Sequence, residues 1–494
     1  MESECTNIVI VVLDTTRAAN LSLYGYGRPT SPNLERIAEN STVFENAISP
    51  SPWTMPAHAS VLSGLYPSHH ETTRSNPQFS ESIDFLPTIL SDHGYETQCI
   101  TANKLLFRDN KLQNEFDRSV LTTRRLPTET NEEIYNGLRE SYDGFSTKSL
   151  STLVKFVQNN ESSFKDFGNV LDEYSRGKIL PEDNVMSARN NLSEFKNVFS
   201  TSEKNFILLN FMDTHLEYTP SSKFLKHVLP KDLSPSDLTD INQDSRSYNY
   251  ANAFSMSDED FRRLTVLYDG ACRTVDHYIG QLYDYLLETN QFDNTLFVIL
   301  GDHGENLGEN GKMGHSLSLN HYVCHVPLIV SFPEQQEAER VESLVQTHDI
   351  FRSIIDVANI DSEVLDGQQK EDSQPLPFKD SSHSRSFAIA EYLGSPFQGI
   401  KQTMDDYPNI NYEQYDYELK TVYNNDGIKL TTKSTDEKWL KNTISDAEFK
   451  VGHNKELAKS LETRLFDSVK RFGETKKTDH GTQIEKTLKD LGYI

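Results

Sequence analysis

Four short runs of apolar residues stand out along the chain, each bounded by polar or turn-forming residues. They are rich in Val, Ile, Leu and Phe, show almost no alternation of apolar and polar positions, and cover residues 7–13, 206–211, 295–300 and 326–332. Runs of this length and composition are typical of strands that are buried on both faces, as in a parallel sheet. The pattern therefore predicts a large, mostly parallel central sheet.

Helical periodicity occurs between these runs. Residues 258–290 place apolar side chains along one face of a long amphipathic helix, and residues 348–360 predict another helix after the last run. Ser31, followed by a proline, predicts the start of a short helix, and residues 86–92 predict one more before a strand at 95–101. Strands that alternate with helices in this way indicate an α/β fold.

Two regions differ in composition from the rest. Between about residues 121 and 203 apolar positions are sparse, and Ser, Asn, Lys and Glu dominate. We interpret this region as a helical insertion in a catalytic α/β domain that covers residues 1–375. Residues 376–494 are polar and predict a small C-terminal α+β subdomain with a final helix and short strands at 387–391, 419–423 and 428–432.

Residues 47–66 contain a candidate nucleophile. Thr54 lies in a loop between prolines, and a helix is predicted to begin at Pro56 and to end at Gly64. The threonine hydroxyl would then lie at a helix N-terminus, where free N–H groups favour an anion. A threonine that only caps the helix would give the same pattern, so both interpretations stay open for this stretch alone.

The chain is acidic, with 48 Lys and Arg against 74 Asp and Glu and a formal net charge of −26 over 494 residues. This charge argues against nucleic acid or an anionic membrane as a partner. An acidic protein that acts on an anionic substrate needs a bound cation to reverse the local charge. No apolar run is long enough to span a bilayer, and we expect a cytoplasmic protein without membrane insertion. The four cysteines lack C-x-x-C spacing and indicate no disulfide framework.

Ligand-capable side chains follow three of the predicted strands. They are Asp14 after the first strand, Asp213 and His215 after the second, and Asp302 and His303 after the third. Each could be a solvated strand end, but parallel strands bring their carboxyl ends to one edge, where sites form. Carboxylate and imidazole suit a divalent cation. We predict one ion (Mn, Mg, Zn or Ca) bound by Asp14, Asp302, His303 and the Thr54 oxygen.

Two histidines are the predicted catalytic partners of Thr54. His215 and His315 would face the bound ester and either donate hydrogen bonds to its outer oxygens or protonate the leaving oxygen. His315 ends the glycine-flanked loop 311–315, which predicts an exposed imidazole.

Several motifs, in order over most of the chain, resemble the sulfatase family of the alkaline phosphatase superfamily. VVLDTTRAANLSLYGYGRPTSPNLERIA (11–38) is similar to the family's opening strand and metal aspartate, and SPWTMPAHASVLSGLYPSHH (51–70) to its nucleophile motif. FMDTHLEYTP (211–220) is similar to its substrate loop, and GDHGENLGENGKMGH (301–315) to its second metal motif. The resemblance implies an alkaline-phosphatase-like α/β sandwich and a divalent metal site.

The chain departs from the family pattern at four positions, one of which is Thr15, where many members have a second metal aspartate. Thr54 replaces the Cys or Ser that sulfatases convert to formylglycine, and threonine cannot form that aldehyde. The resemblance instead relates a threonine nucleophile to the phosphate-handling branches. His58 replaces the family arginine, which weakens bidentate anchoring near the nucleophile. His303 replaces the family asparagine, a variant that favours Mn or Zn and phosphate chemistry.

Four residues are predicted to bind the substrate: His58, Lys312, His215 and Asn103. Lys312 would take the role of the lysine that precedes the histidine in sulfatases. Asn103 follows the strand at 95–101, where an asparagine that only forms a turn is the alternative.

The prediction is a metal-dependent hydrolase of phosphate or sulfate esters, small molecules or glycans, that uses Thr54 and passes through a phosphothreonine. A phosphoglycerol-type transferase acting on a glycan or lipid is the alternative enzymatic activity. A non-catalytic, sulfatase-like binding protein is the alternative from another class. The sequence leaves the oligomeric state open.

Overall fold

An eight-stranded sheet dominates the computed structural model of this protein. The described residues are 7–107, 112–122, 187–201, 203–378, 385–394, 410–443, 448–449 and 454–474 of the 494-residue chain. Their strands are, in chain order, β1 (Asn7–Leu13), β2 (Thr42–Ile48), β3 (Glu96–Thr101), β4 (Arg118–Leu121), β5 (Asn205–Phe211), β6 (Thr295–Gly301), β7 (Asn306–Leu307), β8 (Met313–Gly314), β9 (Leu328–Ser331), β10 (Glu339–Gln346), β11 (Phe387–Tyr392), β12 (Leu419–Asn424), β13 (Ile428–Lys433), β14 (Lys438–Asn442) and β15 (Glu448–Phe449). The four apolar runs correspond to β1, β5, β6 and β9, so those predicted strands are confirmed.

The large sheet has the strand order β10-β2-β9-β6-β1-β5-β3-β4. Strand β9 is antiparallel to both of its neighbours, whereas every other pair in this sheet is parallel. The predicted mostly parallel sheet is therefore confirmed. Leu13 at the end of β1 pairs with Phe211 of β5 and with Gly301 of β6. These three strands end in register, and the residues that follow them emerge at one edge of the sheet.

Helices cover both faces of the sheet. In chain order, the α-helices of the described residues are α1 (Pro32–Ala38), α2 (Thr54–Ser63), α3 (Pro67–His70), α4 (Leu86–Asp92), α5 (Leu112–Glu115), α6 (Ser187–Val198), α7 (Ser222–Leu225), α8 (Asp258–Glu288), α9 (His321–Cys324), α10 (Ile350–Val357), α11 (Gly367–Asp372) and α12 (Lys455–Ser468). The apolar residues of α1, α6 and α8 share one buried cluster, and those of α2, α4 and α10 share another.

Successive residues of β1 show how the sheet separates these two clusters. Ile8, Ile10 and Val12 belong to the cluster of α2, whereas Val9 and Val11 belong to the cluster of α8, and all five are buried. Side chains alternate between the faces of a strand, so a continuous apolar run serves both layers at once. The observed architecture is the predicted α/β sandwich.

The N-terminus of α1 is capped by a distant part of the chain. Ser31 precedes the helix, as predicted, but its hydroxyl accepts a hydrogen bond from Leu23 N at 3.0 Å and does not cap the helix. The Asp276 carboxylate of α8 accepts the N–H groups of Asn33 and Leu34, each at 2.9 Å. The cap therefore comes from the packing of two helices and could not be read from the local sequence.

The second sheet has the order β11-β12-β13-β14-β15 and is antiparallel throughout. Its first three strands correspond to the predicted strands at 387–391, 419–423 and 428–432, which are confirmed. Glu391 of β11 ties this sheet to the loop before α2, because its N–H donates to Pro50 O at 2.8 Å. The domain boundary at residue 375 stays a prediction.

Most of the predicted insertion at 121–203 lies outside the described residues. Its described part contains α6, and the helical insertion as a whole stays a prediction. Across the described ranges, no helix is both long enough and apolar enough to cross a membrane.

Candidate metal and nucleophile site

Three ligand-capable side chains meet where β1 and β6 end. Asp14 follows β1, and Asp302 and His303 follow β6. One ligand atom from each of the three lies within 4.8 Å of the others, and all three residues are buried. The register of the two strands thus produces the cluster that the sequence predicted at this edge.

Neighbouring groups hold the two carboxylates in place. Asp302 Oδ1 accepts the N–H groups of Thr15 at 3.1 Å and of His303 at 2.8 Å. Asp14 Oδ2 accepts the Asn103 side-chain amide at 3.0 Å. Asn103 was predicted to bind substrate, and its observed contact orients a carboxylate of the cluster. Its contact with substrate stays a prediction.

The remaining atoms of the cluster fit a bound cation. Asp14 Oδ1 and Asp302 Oδ2 are buried and have no hydrogen-bond partner. Burial and the charge of Asp14 raise the pKa of Asp302 well above its usual range, so two carboxylates without a cation are costly here. A divalent ion would supply the missing partner for both oxygens.

The imidazole of His303 is suited to the same ion. His303 Nδ1 lies 3.1 Å from Gly304 O and donates to it, which leaves the Nε2 lone pair 3.6 Å from Asp302 Oδ2. Burial and the adjacent His315 lower the pKa of His303 to about 3, so the ring is neutral. A neutral imidazole whose other nitrogen is held by a carbonyl is a ready metal ligand.

Thr54 lies beside this cluster. Its Oγ1 is 3.4 Å from His303 Nε2, and the side chain is buried. Helix α2 begins at Thr54, two residues before the predicted start at Pro56, and Gly64 ends it with a φ of 72° as predicted. Trp53 is the N-cap residue of α2 and Thr54 its first helical residue, and the described contact of the Thr54 hydroxyl is with His303, so the described structure does not support the interpretation of Thr54 as a simple helix cap.

His58 lies one turn further along α2. Its Nδ1 donates to Thr54 O at 2.9 Å and lies 3.7 Å from Asp302 Oδ2, and its Nε2 is 3.5 Å from the Asn210 amide. The ring is 2% exposed, and burial lowers its pKa although the charge of Asp14 opposes the shift. These contacts fix the start of α2 against the cluster. The predicted role of His58 in substrate binding stays a prediction.

His215 and His315 lie next to each other and to the cluster. The His315 ring is 4.5 Å from the His303 ring and 5.6 Å from the His215 ring, measured between centroids. His315 Nδ1 donates to Glu305 Oε1 at 2.7 Å, and its side chain is only 15% exposed. The prediction of an exposed imidazole is therefore wrong, because the hydrogen bond to the buried Glu305 holds the ring in the interior. His215 Nδ1 donates to Leu216 O at 2.5 Å.

Glu305 is a residue of this site that the sequence analysis missed. It is fully buried, and its second oxygen accepts the Tyr218 hydroxyl at 2.9 Å. By accepting the proton on His315 Nδ1, Glu305 fixes which nitrogen of that ring faces away from it. The only sequence signal was its position two residues after His303.

Lys312 does not make a described contact with the cluster. Its Nζ donates to Leu317 O. Burial, and then the charge of Lys433, lowers the pKa of Lys312 to about 8. Its predicted role in substrate binding stays a prediction.

Asp213 follows β5 but faces another partner. Its Oδ2 accepts the Ser187 hydroxyl and the Ala188 N–H, the latter at 2.9 Å, at the described start of α6. Asp213 was a ligand-capable strand end but not one of the four predicted metal ligands, and its described contacts are with the start of α6. The sequence could predict that β1, β5 and β6 end at one edge of the sheet, but the direction of the Asp213 side chain depends on the position of α6.

Replacing Asp213 by asparagine should remove a pH dependence of stability. Burial raises the pKa of Asp213 to about 6 from 3.8. Between about pH 4 and pH 6 the unfolded chain releases this proton and the folded protein retains it, so folding stability falls as pH rises. We expect the free energy of unfolding of Asp213→Asn to exceed that of the wild type by up to about 3 kcal/mol at pH 7 and to equal it at pH 3.5, measured by urea unfolding. A wild type that is more stable than Asp213→Asn at pH 7 would contradict this expectation.

The described structure is an α/β protein with a mixed, mostly parallel central sheet and a small antiparallel sheet, which is the alkaline-phosphatase-like architecture. The sulfatase family profile matches residues 6–360, and the chain therefore belongs to the sulfatase family. The resemblance seen in the sequence motifs is confirmed.

Individual relatives are distant. A sulfatase from Formosa agariphila is 20% identical over 433 residues, which cover 83% of this chain and 80% of that protein. The multifunctional alkaline phosphatase superfamily protein PehA from Trinickia caryophylli is 22% identical over 408 residues, 73% of this chain and 74% of its own. The solved structure of phosphonate monoester hydrolase SpPMH from Silicibacter pomeroyi has a TM-score of 0.63 at 16% identity and covers 96% of both chains.

Proposed function

We propose that the protein is a metal-dependent hydrolase of phosphate esters, and less readily of sulfate esters, with Thr54 as its nucleophile. One observation carries the proposal: the Thr54 hydroxyl lies 3.4 Å from His303 Nε2, beside the buried cluster of Asp14, Asp302 and His303. A hydroxyl is a weak nucleophile at neutral pH unless a neighbouring group lowers its pKa.

The residues that would hold the metal are Asp14, Asp302, His303 and the Thr54 hydroxyl. When bound there, a divalent cation lowers the pKa of the hydroxyl and shields the negative charge of the ester. The carboxylate and imidazole set is compatible with Mn, Mg or Zn and less selective for Ca. A single ion accounts for both carboxylate oxygens that have no hydrogen-bond partner.

The chain's own residues supply the rest of the reaction. Thr54 Oγ1 would form a bond to phosphorus while the bond from phosphorus to the ester oxygen breaks. Because His315 Nδ1 carries the proton that it donates to Glu305, its Nε2 would accept the proton of the Thr54 hydroxyl and pass it to the leaving oxygen. Water would then attack the phosphothreonine and return Thr54 and inorganic phosphate. His215, next to His315, would face the outer oxygens of the transferred group.

Two considerations favour phosphorus over sulfur. Threonine cannot be converted to the formylglycine that sulfatases use. The relatives include a phosphonate monoester hydrolase and a multifunctional member of the alkaline phosphatase superfamily, besides the sulfatase from Formosa agariphila. The proposal includes esters whose alcohol is a glycan. Transfer of the group to another alcohol in place of water is the alternative reaction, and assays with defined substrates distinguish the two.

A panel of esters tests the proposed activity. Purified protein is assayed with aryl phosphate, aryl phosphonate monoester, phosphodiester and aryl sulfate, each with Mn, Mg, Zn or Ca. We expect metal-dependent turnover that is fastest on a phosphorus ester. Absence of turnover in every combination would leave the non-catalytic, sulfatase-like binding protein as the better account. Turnover that disappears in Asp302→Ala would exclude that alternative.

Asn103→Ala should weaken metal binding without removing it. The amide of Asn103 is the side-chain donor that orients Asp14, and loss of such a partner typically lowers metal affinity about ten- to a hundredfold. Titration of Mn followed by calorimetry measures this, and excess Mn should restore turnover. Asn20→Ala is the matched control, because Asn20 donates to the buried Asp269 outside the site at 2.7 Å. Equal Mn affinity in Asn103→Ala and wild type would contradict the role.

A further inference from the structure

Arg74 places a positive charge next to the site but outside the metal cluster. Its Nη1 donates to the Tyr392 hydroxyl at 3.2 Å and to the Ser316 hydroxyl at 3.5 Å. Its guanidinium lies 5.6 Å from the centre of the Trp53 ring. Ser316 directly follows His315, and Trp53 directly precedes Thr54. Arg74 therefore contacts the immediate neighbours of two predicted catalytic residues, His315 and Thr54.

In the part of the chain that the structure describes, no acidic partner balances this charge. Other inward-facing arginines reach a carboxylate: Arg17 pairs with Glu309 at 2.8 Å, and Arg385 pairs with Asp349. Among the described residues no carboxylate lies within 4.0 Å of the Arg74 guanidinium, whose side-chain partners are neutral hydroxyls. In a chain with a net charge of −26 this is an unusual position for an arginine. A cation left with neutral partners favours an anion from outside the chain.

Arg246 adds a second positive charge near Arg74. Burial lowers the pKa of Arg246, Asp244 opposes the shift, and the charge of Arg74 lowers the pKa further. The two guanidinium groups are thus close enough to disfavour each other. Like charges held together in this way attract an anion more strongly than either does alone.

The backbone that carries Arg74 is held firmly. Its N–H donates to Leu393 O at 3.2 Å, which joins it to the end of β11. Gly394 has a φ of 97°, and a Cβ there would lie 2.3 Å from Ser75 Oγ, so only glycine allows this close approach. A side chain whose backbone is fixed loses less entropy when it binds a ligand.

We propose that Arg74, with the Tyr392 and Ser316 hydroxyls, binds a second anionic group of the substrate, on the alcohol part that leaves after ester cleavage. The substrate class is then an ester whose alcohol carries a carboxylate or a further phosphate or sulfate. This substrate class rests on the proposed function, whereas the anion site itself can be measured without turnover. Arg74 has no described contact with Asp14, Asp302, His303 or Thr54, which assigns it to the alcohol part and not to the transferred group.

Two ligands that contain no ester test this inference. Phenylphosphonate and its meta-carboxy derivative differ by one anionic group, and their carbon–phosphorus bond is not an ester bond. Calorimetry with the Mn-loaded protein compares their affinities for wild type, Arg74→Gln, Arg74→Lys and Arg118→Gln. Arg118 is the control, because it forms an exposed pair with Glu194 far from these residues in the sheet.

Wild type should bind the carboxy derivative about tenfold or more tightly than phenylphosphonate, as for one charge-assisted contact. Arg74→Gln should bind both ligands equally, Arg74→Lys should keep part of the preference, and Arg118→Gln should keep all of it. Equal affinities in wild type would overturn the inference, and that comparison requires no variant to fold. A preference that survives in Arg74→Gln, or an equal loss for both ligands, would overturn it as well.

The outcome separates this inference from the proposed function. An Arg74-dependent preference in a protein that turns over no ester would refute the hydrolase and support the anion site. Ester turnover without an Arg74-dependent preference would support the hydrolase and refute the anion site.

Discussion

Thr54→Ala is expected to abolish ester turnover, with a loss of at least about a thousandfold in kcat. The Thr54 hydroxyl lies beside the Asp14, Asp302 and His303 cluster, and alanine leaves no atom that can attack phosphorus. Thr54→Ser should keep part of the activity, because it retains the hydroxyl and loses the methyl group that restricts its rotamer. Initial rates on an aryl phosphate with saturating metal measure both variants.

The control for this experiment is Thr274→Ala. Thr274 is also a buried helical threonine, but its hydroxyl donates to Gly270 O within α8. This variant should keep wild-type kcat, which separates loss of the nucleophile from loss of a buried hydroxyl. Comparable rates for Thr54→Ala and wild type would refute the proposed nucleophile. A phosphoryl adduct located by mass spectrometry on any residue other than Thr54 would refute it too.

Asp302→Ala is expected to lose both metal binding and turnover, the latter by about a thousandfold or more. Asp302 contributes a buried oxygen without a hydrogen-bond partner, and its neighbour Asp14 repels it when no cation is present. Metal should therefore stabilise the wild type, by about 4 kcal/mol at a concentration of a thousand times Kd. Thermal unfolding with metal and with chelator measures this difference in Tm. Asp302→Ala should show no difference between the two conditions.

Asp213→Asn is the matched control for Asp302→Ala. Both residues follow parallel strands that end in register, but Asp213 binds the start of α6. It should keep the full rise in Tm with metal and the full turnover. If metal raised the Tm of Asp302→Ala as much as that of the wild type, the ion would have to bind elsewhere.

The sequence predicted the strands that carry the site better than the rest of the sheet. Strands β1, β5 and β6 are buried on both faces, so their composition alone distinguishes them. Strand β2 contains Glu45 and Asn46, and the edge strand β10 alternates between half-buried and exposed positions over its first half. Neither has an uninterrupted apolar run, and neither was predicted. The antiparallel direction of β9 also has no local signal, since it depends on the strands beside it.

The sequence could not predict the direction of individual side chains, and this limited the prediction of the site. Asp14, Asp302 and His303 were found because strand register brings them together. Asp213 has the same position after its strand, but only the placement of α6 shows that it turns to another partner. Glu305 is part of the site through its contact with His315, and Arg74 lies beside the site through its contact with Tyr392. No apolar or helical pattern in the sequence reveals either contact.

The account rests on one ion that is shared by the cluster and the Thr54 hydroxyl. Anomalous diffraction from crystals grown with Mn tests this directly. The expected result is a single Mn peak in contact with Asp14 Oδ1, Asp302 Oδ2, His303 Nε2 and Thr54 Oγ1. A Mn-saturated crystal with no peak at these atoms, or with an ion that the Thr54 hydroxyl does not touch, would contradict it.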